Sequence, residues 1–248
     1  MTCVYKSERH INRVRHMNSF VILGLMGGIL AVDHRAGWQS MLAQPVFSAA
    51  AVGFAIGEIE IALAVGVVLE LVYLSIVPMR GARIPDQIAS GVVGAGTAAL
   101  LIQNTSDPRF VFIGAIGVFI GLLAGEAGAR ITAPLFGLQN RMLSGFEFAP
   151  DATGRTTVRR IFWAHLGSVG FIFLVEALLV LLLGAAGYYA GDKMTRFTGG
   201  LLVEGALKWS YLVPAIGAAS LIHLFWQHHL RRALLVCAVV VVIFLWAT

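Results

Sequence analysis

Residues 46–77 form a nearly unbroken apolar run, cut by Gly57-Glu58-Ile59-Glu60 and carrying a further carboxylate at Glu70. One spanning helix needs about 20 apolar residues, so this run is too long for a single plain helix. In hydrocarbon each unpaired backbone amide or carbonyl costs several kcal/mol, and an interrupted segment persists only where protein or water covers it. The run therefore predicts a half-helix followed by a span, or a helical hairpin. Further apolar segments lie at 19–32, 87–103, 110–135, 161–190, 197–226 and 233–248. Charged residues make up only 12% of the chain against 58% hydrophobic, where soluble domains carry roughly 25% charged residues. The expected fold is an all-α integral membrane protein, a multi-span helical bundle with broken helices and re-entrant hairpins.

The organisation expected is a basic cytoplasmic N-terminal tail over 1–18 and a single polytopic membrane domain over 19–248. The first apolar run ends in Asp33-His34-Arg35 without a small-residue cleavage site, so it reads as an uncleaved span rather than a secretory signal. If 46–57 is a half-span that turns back, the basic residues sort by side. Lys6, Arg9, Arg13, Arg15, Arg80, Arg83, Arg141, Arg155, Arg159, Arg160, Arg231 and Arg232 fall together, opposite Arg35, Arg109, Lys193 and Arg196. The positive-inside rule then places the tail and the polar stretch 136–160 in the cytoplasm. The net charge of +5 resides in these connecting segments and argues against nucleic acid as a partner. Cys3 and Cys237 supply neither a disulfide framework nor a cysteine metal site.

Glu70 is the sharpest candidate group, because no basic residue within one helical turn neutralises it. A carboxylate within a span costs about 2.5–3.5 kcal/mol on insertion scales and turns toward protein, water or a partner charge. The structural alternative is a protonated carboxyl or one bonded to neighbouring backbone. Glu58 and Glu60, two residues apart, point to different sides of a helix and read as interfacial. Asp86, after Pro85, is placed to cap a helix beginning near Gln87; sugar binding by the same carboxylate is compatible. Glu126/Arg130 and Glu204/Lys208 have the acid-first, four-apart order of helical ion pairs, and His165 and Glu176 share nearly one face, as in a polar seam. His228-His229 lacks the ligand spacing of a zinc site, and Gly94-x-Gly96-x-x-Ala99 lies inside an apolar run with no preceding strand. No metal, cofactor or catalytic residue is expected. An intramembrane enzyme using Glu58, Glu60 and His165 is the weaker reading, since no clustered spacing supports it.

Across 33–86 the residues carry a resemblance. Asp33-His-Arg, Trp38-Gln39-x-Met41-Leu42-x-Gln44-Pro45, Gly53 through Gly57-Glu58, Gly66-x-x-Leu69-Glu70-Leu71 and Pro78…Gly81-Ala82…Pro85-Asp86 occur in order. They are similar to the Asp-Arg, Q-P, G-D, G-x-x-L-E-L and P-x-G-x-x-P-P-D blocks of the C subunit (IIC) of the mannose/fructose/sorbose family of bacterial phosphotransferase-system (PTS) sugar transporters. A looser match is Val213-Pro214-Ala215-Ile216-Gly217. The sequence departs from the pattern at Glu58 (for Asp), Ser75 (for Gly), Ile84 (for Pro) and in the bulky Met79-Arg80.

The resemblance implies a sugar-translocating subunit of the bacterial cytoplasmic (inner) membrane, with uptake of a hexose-like sugar coupled to phosphorylation by cytoplasmic A and B subunits (IIA/IIB). It implies a D-type (IID) membrane partner, a lipid surround and no phosphorylated residue on this chain, and it is compatible with a homo-oligomer. Glu70, Gln44 and Asp86 are the expected substrate-binding residues, with Asp33, Glu58 and Lys208 as supporting polar groups. The alternative, motivated by the departures, is a divergent IIC homologue acting as a membrane assembly or regulatory subunit without transport.

Overall fold

The computed structural model describes residues 2–74, 84–104, 110–144, 154–198 and 219, with residues 2–16, 142, 144 and 154–157 as backbone only. The helices are α1 (Thr2–Arg35), α2 (Pro45–Ile56), α3 (Ile59–Tyr73), α4 (Gln87–Gln103), α5 (Phe110–Ser144) and α6 (Gly154–Thr198). Among the described residues there is no strand, as the sequence leads one to expect.

The interruption at 57–60 is a helical hairpin. Proline suits the first turn of α2, where no N–H is needed, and the helix starts at Pro45. It ends at Gly57, whose φ of 89° is the left-handed conformation that glycine adopts freely. The Gly57 and Glu58 amides both donate to the Gly53 carbonyl at 2.9 Å, closing the turn before α3. Gly66 on α3 lets the first turn of α2 pack against it: a side chain there would overlap Ala49 and the Pro45 carbonyl.

α4 is the axis of the bundle. Every residue from Ile88 to Leu101 is buried, and the helix packs against each of α1, α2, α3, α5 and α6. Its small residues make this possible. Gly91 lies under Pro45 and Ser48, Gly94 under Gly117 and Gly121, and Gly96 under Leu23. Lipid tails are as apolar as leucine, so helices in a bilayer associate through such close packing rather than through hydrophobic exclusion. The Gly94-x-Gly96 pattern is thus a packing surface.

Successive helices alternate in direction. At one end the α2 carbonyl of Ile56 accepts from Gln103 Nε2 (3.0 Å), Asn104 Nδ2 donates to the Tyr188 hydroxyl (3.1 Å), and the Phe20 and Tyr188 rings lie 5.7 Å apart. At the other end Arg35, Asp86 and Glu176 meet. This corrects the expected sorting of charges. Because α2 runs back along α4 toward the Gln103 end, Asn104, Phe110 and Lys193/Arg196 lie at the end where α1 begins. Arg141 and the start of α6 lie at the opposite end, so basic residues occupy both.

Among the described residues, three helices have spanning length and composition, over Met17–Arg35, Phe110–Arg141 and Val158–Phe197. The expected crossings at 58–77 and 87–103 are shorter. The 15 residues of α3 and 17 of α4 rise about 22 and 25 Å, less than the about 30 Å of a hydrocarbon core. The polar stretch 136–160 is also mostly helix, since α5 runs to Ser144 and α6 begins at Gly154; Gln139, buried, turns inward to bond Ser168. The basic segment 1–18 is helical from Thr2 and continuous with the first span. Glu204, Lys208, Val213–Gly217, His228-His229, Arg231, Arg232 and Cys237 lie outside the described residues.

Candidate functional site

The α2 hairpin and the start of α4 bring three of the six expected polar residues, Glu70, Gln44 and Asp86, into one region of the bundle. Pro45 packs on Gly91, twelve positions before Gln103, which puts the amino end of α2 about 18 Å from the Gln103 end. That is well within the about 30 Å depth of a hydrocarbon core. A half-helix therefore begins in the interior, where Pro45 has no N–H, Ser48 N donates to the Gln44 carbonyl at 2.9 Å and the positive end of the helix dipole faces its surroundings.

Glu70 faces that helix end. Its Oε2 accepts from Val46 N at 3.3 Å, and the residue is half-buried. The carboxyl is thus bonded to neighbouring backbone, but the bond is long and the second oxygen is not used by it. Gln44 precedes α2 at its N-cap position in extended conformation and makes no side-chain cap bond, so its half-buried amide is adjacent to the same helix end. Here a carboxylate and an amide lie together at the positive end of a helix, the type of group that orients and discriminates hydroxyls.

One turn along α3, the Tyr73 hydroxyl donates to Ser90 Oγ at 2.9 Å, linking this region to α4. Asp86, four residues before Ser90, begins the helix as expected: Oδ1 accepts from Ile88 N and Ala89 N, both at 3.1 Å. Its own amide donates to the Gly125 carbonyl at 2.9 Å. The sequence did not reveal its further partner. Arg35 donates to Asp86 Oδ2 at 3.0 Å and to Glu176 Oε2 at 2.8 Å, and its guanidinium carbon sits 4.4 Å from the centre of the Phe136 ring. Asp86 and Glu176 are buried, and Arg35 is about a quarter exposed.

The other expected residues fall elsewhere. Asp33 closes the turn after α1, its Oδ2 accepting from Ser40 N (3.1 Å) and Ser40 Oγ (2.8 Å). Glu58 is the N-cap of α3 at the hairpin corner and makes no side-chain cap bond, so it sits at the far end of the hairpin from Glu70. The shared seam of His165 and Glu176 is not formed, since His165 is exposed and Glu176 has no exposure at all. Nor does the structure bring His165 to Glu58 and Glu60, which lie at opposite ends of the bundle. Glu126 and Arg130 do pair, Oε1 accepting from Nε at 2.9 Å and from Nη2 at 2.8 Å on an exposed face.

Glu176 was legible by the argument applied to Glu70: an isolated acid in an apolar run with no basic residue within a turn. Its partner, Arg35, is 141 positions away, and only the antiparallel packing of α1 on α6 unites them.

Compared with known proteins, the chain matches the family model EII-Sor, described as "PTS system sorbose-specific iic component", over residues 17–247. No curated protein and no solved structure matches it. The all-helical bundle, the broken α2/α3 hairpin and a match over nearly the whole length agree, and the chain belongs to the sorbose-specific IIC family of the phosphotransferase system, the membrane permease subunits whose phosphotransfer lies with IIA and IIB partners.

Proposed function

We propose that this subunit carries a hexose-like sugar across the bacterial cytoplasmic membrane, with uptake coupled to phosphorylation by its IIA and IIB partners and with a IID-type subunit beside it in the membrane. The observation that carries this reading is the amino end of α2, held in the interior of the bundle against the half-buried Glu70. Discontinuous helices whose amino ends and backbone groups point into the midplane are a recurrent way to build transporter substrate sites. Glu70 and Gln44 bind sugar hydroxyls there. Asp86 contributes through the Tyr73–Ser90 link that connects Glu70's helix to the start of α4. The four basic residues before the first span, Lys6, Arg9, Arg13 and Arg15, favour a cytoplasmic N-terminus.

The test is sugar uptake and sugar-dependent phosphoryl transfer in vesicles holding the assembled complex. The expected result is transport with wild-type chain and its loss with Glu70→Gln; unchanged transport with Glu70→Gln sinks the site assignment. The second reading, an assembly or regulatory subunit without transport, draws on Asp86, whose carboxylate is already committed to two amides and Arg35. Complex formation without any sugar-dependent phosphoryl transfer favours it.

A further inference from the structure

The guanidinium of Arg35 is shared by two carboxyl groups that are not equivalently supplied. Asp86 has what an anion needs: Arg35 on Oδ2 and, on Oδ1, two amides at the positive end of α4. Glu176 is completely buried, and only Oε2 is bonded, to Arg35; Oε1 has no hydrogen-bond partner among the described residues. Two full negative charges against one positive would leave a net charge inside a membrane-spanning segment, where uncompensated charge is costly.

A single proton on Glu176 balances the cluster. A metal ion would not, since hard cations require several oxygen ligands, and no group of three or more His, Cys, Asp or Glu side chains is present among the described residues. The groups facing Glu176 leave the same conclusion. α1 brings Arg35, α4 brings Asp86, α5 brings the Phe136 ring against Arg35, and α6 has no other titratable side chain within a turn.

We propose that Glu176 is a proton-binding site, holding one proton on Oε1 at neutral pH while Oε2 accepts from Arg35, and that release of this proton loosens the hold of Arg35 on Asp86. With the proton bound, one guanidinium faces one anion and one neutral acid. Once it passes to water, two anions compete for the same guanidinium, so proton occupancy sets how firmly α1 is tied to the start of α4. The inference does not rest on the sugar reading: Glu70 and Gln44 do not enter it, and Asp86 enters only as the second partner of Arg35.

Infrared spectroscopy of the full chain in lipid nanodiscs, in H2O and D2O at pH 7, tests it. The expected result is the carbonyl band of a protonated carboxyl group, shifted by deuteration, lost in Glu176→Gln, kept in Glu126→Gln and bleached reversibly as the pH is raised. A wild-type spectrum without that band, or a spectrum that Glu176→Gln leaves unchanged, overturns it. Glutamine reproduces a neutral carboxyl in size and charge, so Glu176→Gln melts at the wild-type temperature; failure of this variant to fold contradicts the proposal as well.

Discussion

The amino end of α2 and the Arg35 cluster both place carboxylates deep in an apolar bundle, and they satisfy them differently. Glu70 is half-buried and accepts one long bond from Val46 N. Asp86 is buried and bonded by two amides and a guanidinium, and Glu176 is buried and bonded by the same guanidinium. Partners already in place stabilise a fold and leave little for a ligand. A loosely held carboxylate at the amino end of a half-helix has capacity to spare. The difference separates a region built to hold helices together from a region built to hold something else.

The largest loss is expected at Arg35. Arg35→Met leaves Asp86 without its cation, and removing one member of a buried ion pair costs about 3–5 kcal/mol. The expected outcome is a large drop in the unfolding midpoint of the detergent-solubilised protein; a midpoint near wild type would show that the cluster does not hold α1, α4 and α6 together. Asp86→Asn is milder, because asparagine still caps α4 and loses only the charged bond, worth about 1.5–3 kcal/mol. Gly91→Val tests the packing of α2 on α4, with overpacking expected to cost about 1–3 kcal/mol since any side chain at Gly91 meets Ser48 and Pro45. If Gly91→Val melts like wild type, the hairpin does not sit against α4 as described. The smallest effect is expected at Glu126→Gln. Its four-apart pair with Arg130 is well exposed, and such pairs contribute within about 0.5 kcal/mol.

The local features were readable because their causes are local. Gly57 followed by Glu58 marked a break, and Pro85-Asp86 marked a helix start. The central place of α4 was not, because hydropathy reports an apolar run and not which run is ringed by others. Only its small residues, at Gly91, Gly94 and Gly96, pointed to close neighbours. The charge sorting failed for a related reason: the direction of the short α2 decides every later assignment, and that direction is fixed by its packing along α4. Glu70 and Glu176 were equals in sequence, each an isolated acid in an apolar run. Tertiary packing gave one a cation and the other the end of a helix.

Sugar binding to Glu70→Gln, measured beside its unfolding midpoint in the same preparation, tests this division most directly. Binding is expected to be lost while the midpoint stays within about 1 kcal/mol of wild type, the net worth of one hydrogen bond. Intact binding with a large loss of stability would contradict it, because Glu70 would then belong with Asp86 and Glu176 among the groups that hold the bundle together.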